Sequence, residues 1–151
     1  MEKPETIKHA ALLWILAVLA GVIETVLAVS AVAKESGIDD GVWQNVAVRS
    51  AVYLGAFVII GFFAAGHRWA RWALTGLLSV IGLISLLVEP ARLLAEGESL
   101  IAAFGGDSEF ALAFFVTRMT HIAAVLLATV LMFSPSANRY FARRKHEPVA
   151  A

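Results

Sequence analysis

The chain has 151 residues, enough for one domain, and a formal net charge of zero. Hydrophobic residues make up 60% and charged residues 16%, with a mean hydropathy of +0.79. An ordinary soluble domain is about half apolar and about a quarter charged, so the composition excludes one. Cysteine is absent, which excludes disulfides, thiolate metal sites, iron–sulfur clusters, cysteine nucleophiles and dithiol redox chemistry.

Residues 1–9 form a short polar arm with Lys3 and Lys8. An apolar run then predicts a helix over 10–33. Its end, Ala31-Val32-Ala33, mimics a signal-peptide cleavage site, but the length of the run and the presence of Glu24 argue for a retained span. An acidic link with Glu35, Asp39 and Asp40 leads to a second helix over 42–66. A very short basic turn, His67 to Arg71, precedes a third over 70–89, closed by Glu89-Pro90. In 91–101, Leu93, Leu94, Leu100 and Ile101 alternate with Arg92, Glu96 and Glu98, as in an amphipathic helix lying in the interface or an ordinary connection. Gly105-Gly106 turns the chain, and Asp107 or Ser108 is placed to cap a fourth helix over 108–133. Residues 134–151 read as a polar tail, disordered after Arg144. A bilayer core takes about 20 apolar residues in a helix, and the third run is the shortest of the four.

Lysine and arginine orient these spans. Lys3, Lys8, Arg68, Arg71, Arg139, Arg143, Arg144 and Lys145 gather on one side, which the positive-inside rule places in the cytoplasm. Glu35, Asp39, Asp40, Glu96, Glu98, Asp107 and Glu109 fall on the other. Trp14, Trp69, Trp72 and Tyr140 suit the inner interface and Trp43 the outer one. The expected fold is all-α: one polytopic transmembrane four-helix bundle, up-down-up-down, with both termini cytoplasmic.

Ionisable residues inside the spans are the main functional signal, because charge in hydrocarbon persists only when it faces the bundle interior, is paired, or lines a path. At about 1.5 Å of rise per residue, Glu24 and Arg118 each lie roughly 13 Å below the outer ends of their helices, and Arg49 roughly 10 Å. His121 is one turn beyond Arg118. Ala17, Gly21, Glu24, Ala28 and Ala31 share one small-residue face, so Glu24 should point into the bundle. Arg118 and His121 share a face by i,i+3. The expectation is a buried polar cluster of Glu24, Arg49, Arg118 and His121, with Tyr53, Glu89 and Arg92 at its outer rim. It suits either an ion pair that fixes helix register or a net-positive site for an anionic or protonatable ligand. Ala47, Ala51 and Gly55 on the second helix, and Thr75, Ser79 and Gly82 on the third, form further small-residue stripes for helix contacts.

Other chemistries lack their residues. The histidines are His9, His67, His121 and His146. None matches His121 in depth on a facing helix, as bis-histidine haem ligation requires. No HExxH, paired-carboxylate motif or glycine-rich phosphate loop is present. The expectation is no catalytic set, no metal, no cofactor and no nucleic-acid partner. The Arg139–Lys145 basic cluster could touch anionic lipid.

Gly66-His67-Arg68-Trp69-Ala70-Arg71-Trp72-Ala73-Leu74-Thr75 resembles the G-x-x-W-A-R-x-x-L-T turn of small actinobacterial four-helix integral membrane proteins of unassigned activity. The resemblance covers this turn and implies a bacterial plasma membrane and a multi-pass topology. A glutamate in the first helix is also similar to the small multidrug exporters, but those need a carboxylate free to exchange protons for cations, and here arginines face it. The expected function is non-enzymatic: an accessory or assembly subunit of a larger plasma-membrane complex, with lipids and other membrane subunits or further copies of itself as partners. The alternative is a small transporter or a lipid- or anion-binding protein using the polar cluster, and an enzyme acting on lipid-linked substrates comes third.

Overall fold

In a computed structural model that describes residues 3–143, every regular element is helical. The helices are α1 (Glu5–Glu35), α2 (Asp40–Ala64), α3 (Arg68–Ala95), α4 (Leu100–Gly105), α5 (Ala111–Met132) and α6 (Pro135–Arg143). Helices α1, α2, α3 and α5 are long and apolar enough to cross a membrane. The part of the expected tail from Arg144 onward, with Lys145 and His146, lies outside the described residues.

Glycines rather than proline end α2 and α3. After α2, Gly66 adopts φ +89°, its N–H donates to Phe63 O, and the His67 N–H donates to Phe62 O. Gly97 (φ +95°) does the same after α3, with Gly97 N–H to Leu94 O and Glu98 N–H to Leu93 O. Both are left-handed closures that a side chain disfavours and that satisfy the last carbonyls. The expected stop at Glu89-Pro90 is therefore corrected: α3 runs through Pro90 to Ala95. One missing N–H does not break it, and Arg92 lies on the next turn, reaching back to Glu89 (2.6 Å) and forward to Glu96 (2.8 Å). The separate helix expected over 91–101 is thus mostly the end of α3, followed by short α4, which Ser99 caps by accepting from the Ala102 N–H. Helix α5 starts three residues later than expected; Ser108 Oγ accepts from the Phe110 N–H just ahead of it.

Within α3, Thr75–Gly82 is a π-helical stretch. Its wider turns carry Ser79 to Thr129 on α5, with 2.7 Å between the hydroxyl oxygens. Long π segments are rare and tend to sit where a helix wall is shaped for a purpose.

The most extensive interface joins α1 and α5. They run antiparallel: Lys34 near the end of α1 pairs with Glu109 ahead of α5, and Thr6 meets Ser136 (2.9 Å) just past its other end. Close packing is concentrated where α1 begins. Ile7, Trp14, Phe63, Leu74, Met132 and Phe141 are almost fully inaccessible there. Residues 135–143, expected as part of a polar tail, instead form α6, because Ala137, Tyr140 and Phe141 lie on one face and bury it. Phe141 packs on Phe63 with ring centroids 5.9 Å apart. Arg71 is drawn into the same layer. Its guanidinium lies 4.1 Å over the Phe133 ring and 5.3 Å from Phe141, and it donates to Asn138.

The opposite half is open. Past Gly21, α1 buries only Glu24; α2 buries nothing before Ala56, and α5 nothing before Ala124. The stripe Ala47, Ala51 and Gly55 faces outward, and a side chain added at Gly55 would meet open space.

Candidate functional site

Glu24 is the one charged residue in the described chain that the fold buries, at 4% exposure. It reaches that position because Ala17, Gly21 and Glu24 form the face α1 turns toward α5, where small residues let two backbones approach. Helix α5 answers with Arg118 and His121, one turn apart. His121 Nδ1 lies 3.0 Å from Glu24 Oε1, and Arg118 Nε lies 3.4 Å from Oε2. This contact sets the orientation of the ring, with Nδ1 as the donor wherever the carboxylate is ionised. Phe114 supports Arg118 from the other side, its ring centroid 4.7 Å from the guanidinium carbon.

Gly21 is the floor beneath this clamp. A Cβ there would sit 3.1 Å from Tyr53 Cε1 and 3.3 Å from His121 Cε1, so a bare backbone is what lets both rings close on α1. Tyr53 Oη lies 2.7 Å from the Gly21 carbonyl, Thr25 Oγ1 lies 2.9 Å from the same oxygen, and the two hydroxyls are 2.8 Å apart. Two hydroxyl protons serve three close contacts, so one hydroxyl donates to the carbonyl while the other donates to its neighbour.

The structure thus brings Glu24, Arg118 and His121 together and leaves Arg49 outside the clamp. Helix α2 packs on α1 and α3, with little contact to α5. Arg49 is exposed and leans along its own helix, where Nε donates to Asn45 Oδ1 (2.7 Å). Tyr53 is not a rim residue: it is partly buried and reaches inward to Gly21. Glu89 and Arg92 are exposed and paired to each other.

Three spaces surround the clamp. A lateral cavity of about 390 Å³ lies between α1, α2, α3 and α5, with His121, Tyr53, Arg49 and Asn45 on its wall together with apolar side chains of the π-helical stretch. A chamber of about 420 Å³ at the loop end is lined by Arg118 and Phe114, by the acids Glu35, Glu89 and Asp107, and by the backbone around Gly105. A groove of about 410 Å³ between α1 and α2 meets the lateral cavity at Asn45 and Arg49. Glu24 lines none of these spaces, whereas its two partners line one each. Among the described residues no group of three or more His, Asp or Glu side chains could hold a metal ion.

The residues that sequence reasoning passed over are Gly21 as a seat, Thr25 and Asn45. Asn45 had a readable signal, since it lies four residues before Arg49 on the same helix face. Gly21 and Thr25 had none, because their roles depend on where Tyr53 arrives from α2. Comparison with protein-family models, with curated proteins and with solved structures finds no match for this chain.

Proposed function

We propose that this is an integral membrane binding protein that holds a lipid-like or otherwise amphiphilic anion in the open half of its bundle. One observation carries the reading: Glu24 is buried, yet both of its partners keep a face on a chamber, with Arg118 and His121 side chains 21% and 18% exposed. Here the carboxylate anchors a guanidinium and an imidazole at the walls of two accessible spaces. A packed aromatic layer around Trp14, Phe63 and Phe141 fills the core of the half where α1 begins, which is in keeping with holding a ligand rather than conducting one. In this reading the termini lie in the cytoplasm of a bacterial cell and the open half faces outward, in keeping with the lysine and arginine distribution.

The test is native mass spectrometry of the full chain released from its own membranes. The expected result is a stoichiometric small-molecule adduct on the wild-type protein, lost in Glu24→Gln while the protein still unfolds cooperatively. A wild-type protein that carries no adduct, or a Glu24→Gln protein that keeps it unchanged, overturns the reading.

A second reading, an accessory subunit docked on a larger membrane complex, is favoured by the outward-facing Ala47, Ala51 and Gly55 stripe on α2. Small residues are where membrane helices approach each other. Co-migration with a larger assembly that Gly55→Leu abolishes would support it.

A further inference from the structure

We infer that the lateral cavity seats a single-chain anionic amphiphile, a long-chain carboxylate or a lysophosphate, with its head on Arg49 and Asn45 and its chain along the π-helical wall of α3. The assignment rests on the binding reading above and narrows it to one space and one ligand class.

Charge selects the space. Arg49 is the one charged residue on the wall of the lateral cavity. The loop-end chamber sets Glu35, Glu89 and Asp107 around Arg118, which disfavours an anion. Among the described residues no carboxylate pairs with Arg49, although it lies within an apolar span. An arginine in that position is stabilised by reaching the interface or by an anion brought to it. Its Nε is spent on Asn45, which fixes the plane of the guanidinium and leaves the two terminal nitrogens as a fork for a carboxylate or phosphate.

Shape selects the class. Asn45, Arg49 and Ser85 stand on the part of the wall nearer the loop end, while Ala17, Val18 and Val125 stand at its deep end. That is the polarity of an amphiphile lying in a leaflet, head at the interface and chain inward. Leu78, Ile81 and Leu86 supply the apolar side, and the wide turns of Thr75–Gly82 shape it. A volume of about 390 Å³ is at the small end of the range for ligand pockets, roughly 300–1,000 Å³, so it suits one chain rather than two.

The experiment places the full chain in phosphatidylcholine nanodiscs and labels it with tail-diazirine analogues of palmitate, of lysophosphatidic acid and of two-chain phosphatidylglycerol. Adducts are mapped by mass spectrometry. The expected result is saturable labelling at Leu78 or Ile81 by one or both single-chain probes, displaced by the unlabelled compound; which of the two competes better identifies the head. Arg49→Ala should raise the half-saturating concentration about tenfold or more, the usual effect of losing a hydrogen bond to a charged group. Arg49→Lys should raise it less. Ile81→Trp, at a side chain 58% exposed, should block labelling with Arg49 intact; thermal unfolding verifies that both variants stay folded. Labelling that does not saturate, that Arg49→Ala leaves unchanged, or that the two-chain probe matches overturns the assignment. Saturable labelling around Phe104 and Phe114 instead overturns it while keeping the binding reading. No saturable labelling anywhere overturns both.

Discussion

The two halves of this bundle are built on different principles. In the half where α1 begins, aromatic and aliphatic side chains from α1, α2, α3, α5 and α6 interlock around Trp14, Phe63 and Phe141. In the other half the helices keep apolar surface but share little of it, and the one buried charged residue is a carboxylate held between Arg118 and His121. In lipid, apolar surface does not drive helices together, because the solvent is as apolar as the side chain; close fit and polar contacts do. The packed half therefore holds the fold, and the loose half is free to carry chambers.

The contrast predicts a steep asymmetry in stability. Phe63 is fully buried, so Phe63→Ala should cost about 3–4 kcal/mol through lost contacts and an unfilled cavity, read as a lowered unfolding temperature in detergent. An equally large truncation in the other half, Phe110→Ala, should cost well under half of that, since Phe110 is only partly buried. Equal losses would break the distinction between a holding half and a binding half.

Glu24→Gln is the exception that sharpens the comparison, because it strikes the open half at its single buried charge. It leaves Arg118 without its carboxylate and His121 without its anchor. Breaking a buried pair costs about 3–5 kcal/mol, and the partial exposure of Arg118 and His121 lowers the expectation to about 2 kcal/mol. Glu24→Asp should recover little, because the shorter side chain draws back from both partners. A Glu24→Gln protein as stable as the wild type would show that the clamp contributes nothing to the fold.

Arg71→Lys probes the packed half with a smaller change. Lysine keeps the positive charge but loses the planar stack on Phe133 and Phe141 and the geometry of the bond to Asn138. The expected loss is about 1 kcal/mol. No effect would mean that charge at the turn, and not stacking, places Arg71 there.

The sequence made some of this legible and not the rest, for identifiable reasons. Four spans followed from hydropathy, and the inward face of Glu24 followed from small residues at helical spacing, both of which depend on one helix at a time. The face shared by Arg118 and His121 was local in the same way. Arg49 misled because depth along a helix says nothing about azimuth between helices, and Arg49 bonds to Asn45 on its own helix rather than to Glu24. Pro90 misled because proline is a local stop signal that removes only one backbone hydrogen bond, and α3 continues past it to Ala95. The burying face of α6 was present as Ala137, Tyr140 and Phe141, but it was masked by the density of arginine around it. The π-helical stretch in α3 leaves no mark in residue type at all.

The smallest expected effect tests how open the open half is. Lys34 and Glu109 pair across the mouth between α1 and α5, and Lys34 also lies 4.7 Å from the Phe110 ring centroid. Drawn on the fold, this contact resembles a latch. Its side chains are 61% and 60% exposed, so water and salt compete with it and ordering two long side chains offsets what it gains. Lys34→Ala should leave the unfolding temperature unchanged within error, at low salt as well as high. If it instead loosens the protein at low ionic strength, the loop end is clamped electrostatically, and access to the chambers beneath it becomes a property of that latch rather than of sparse packing.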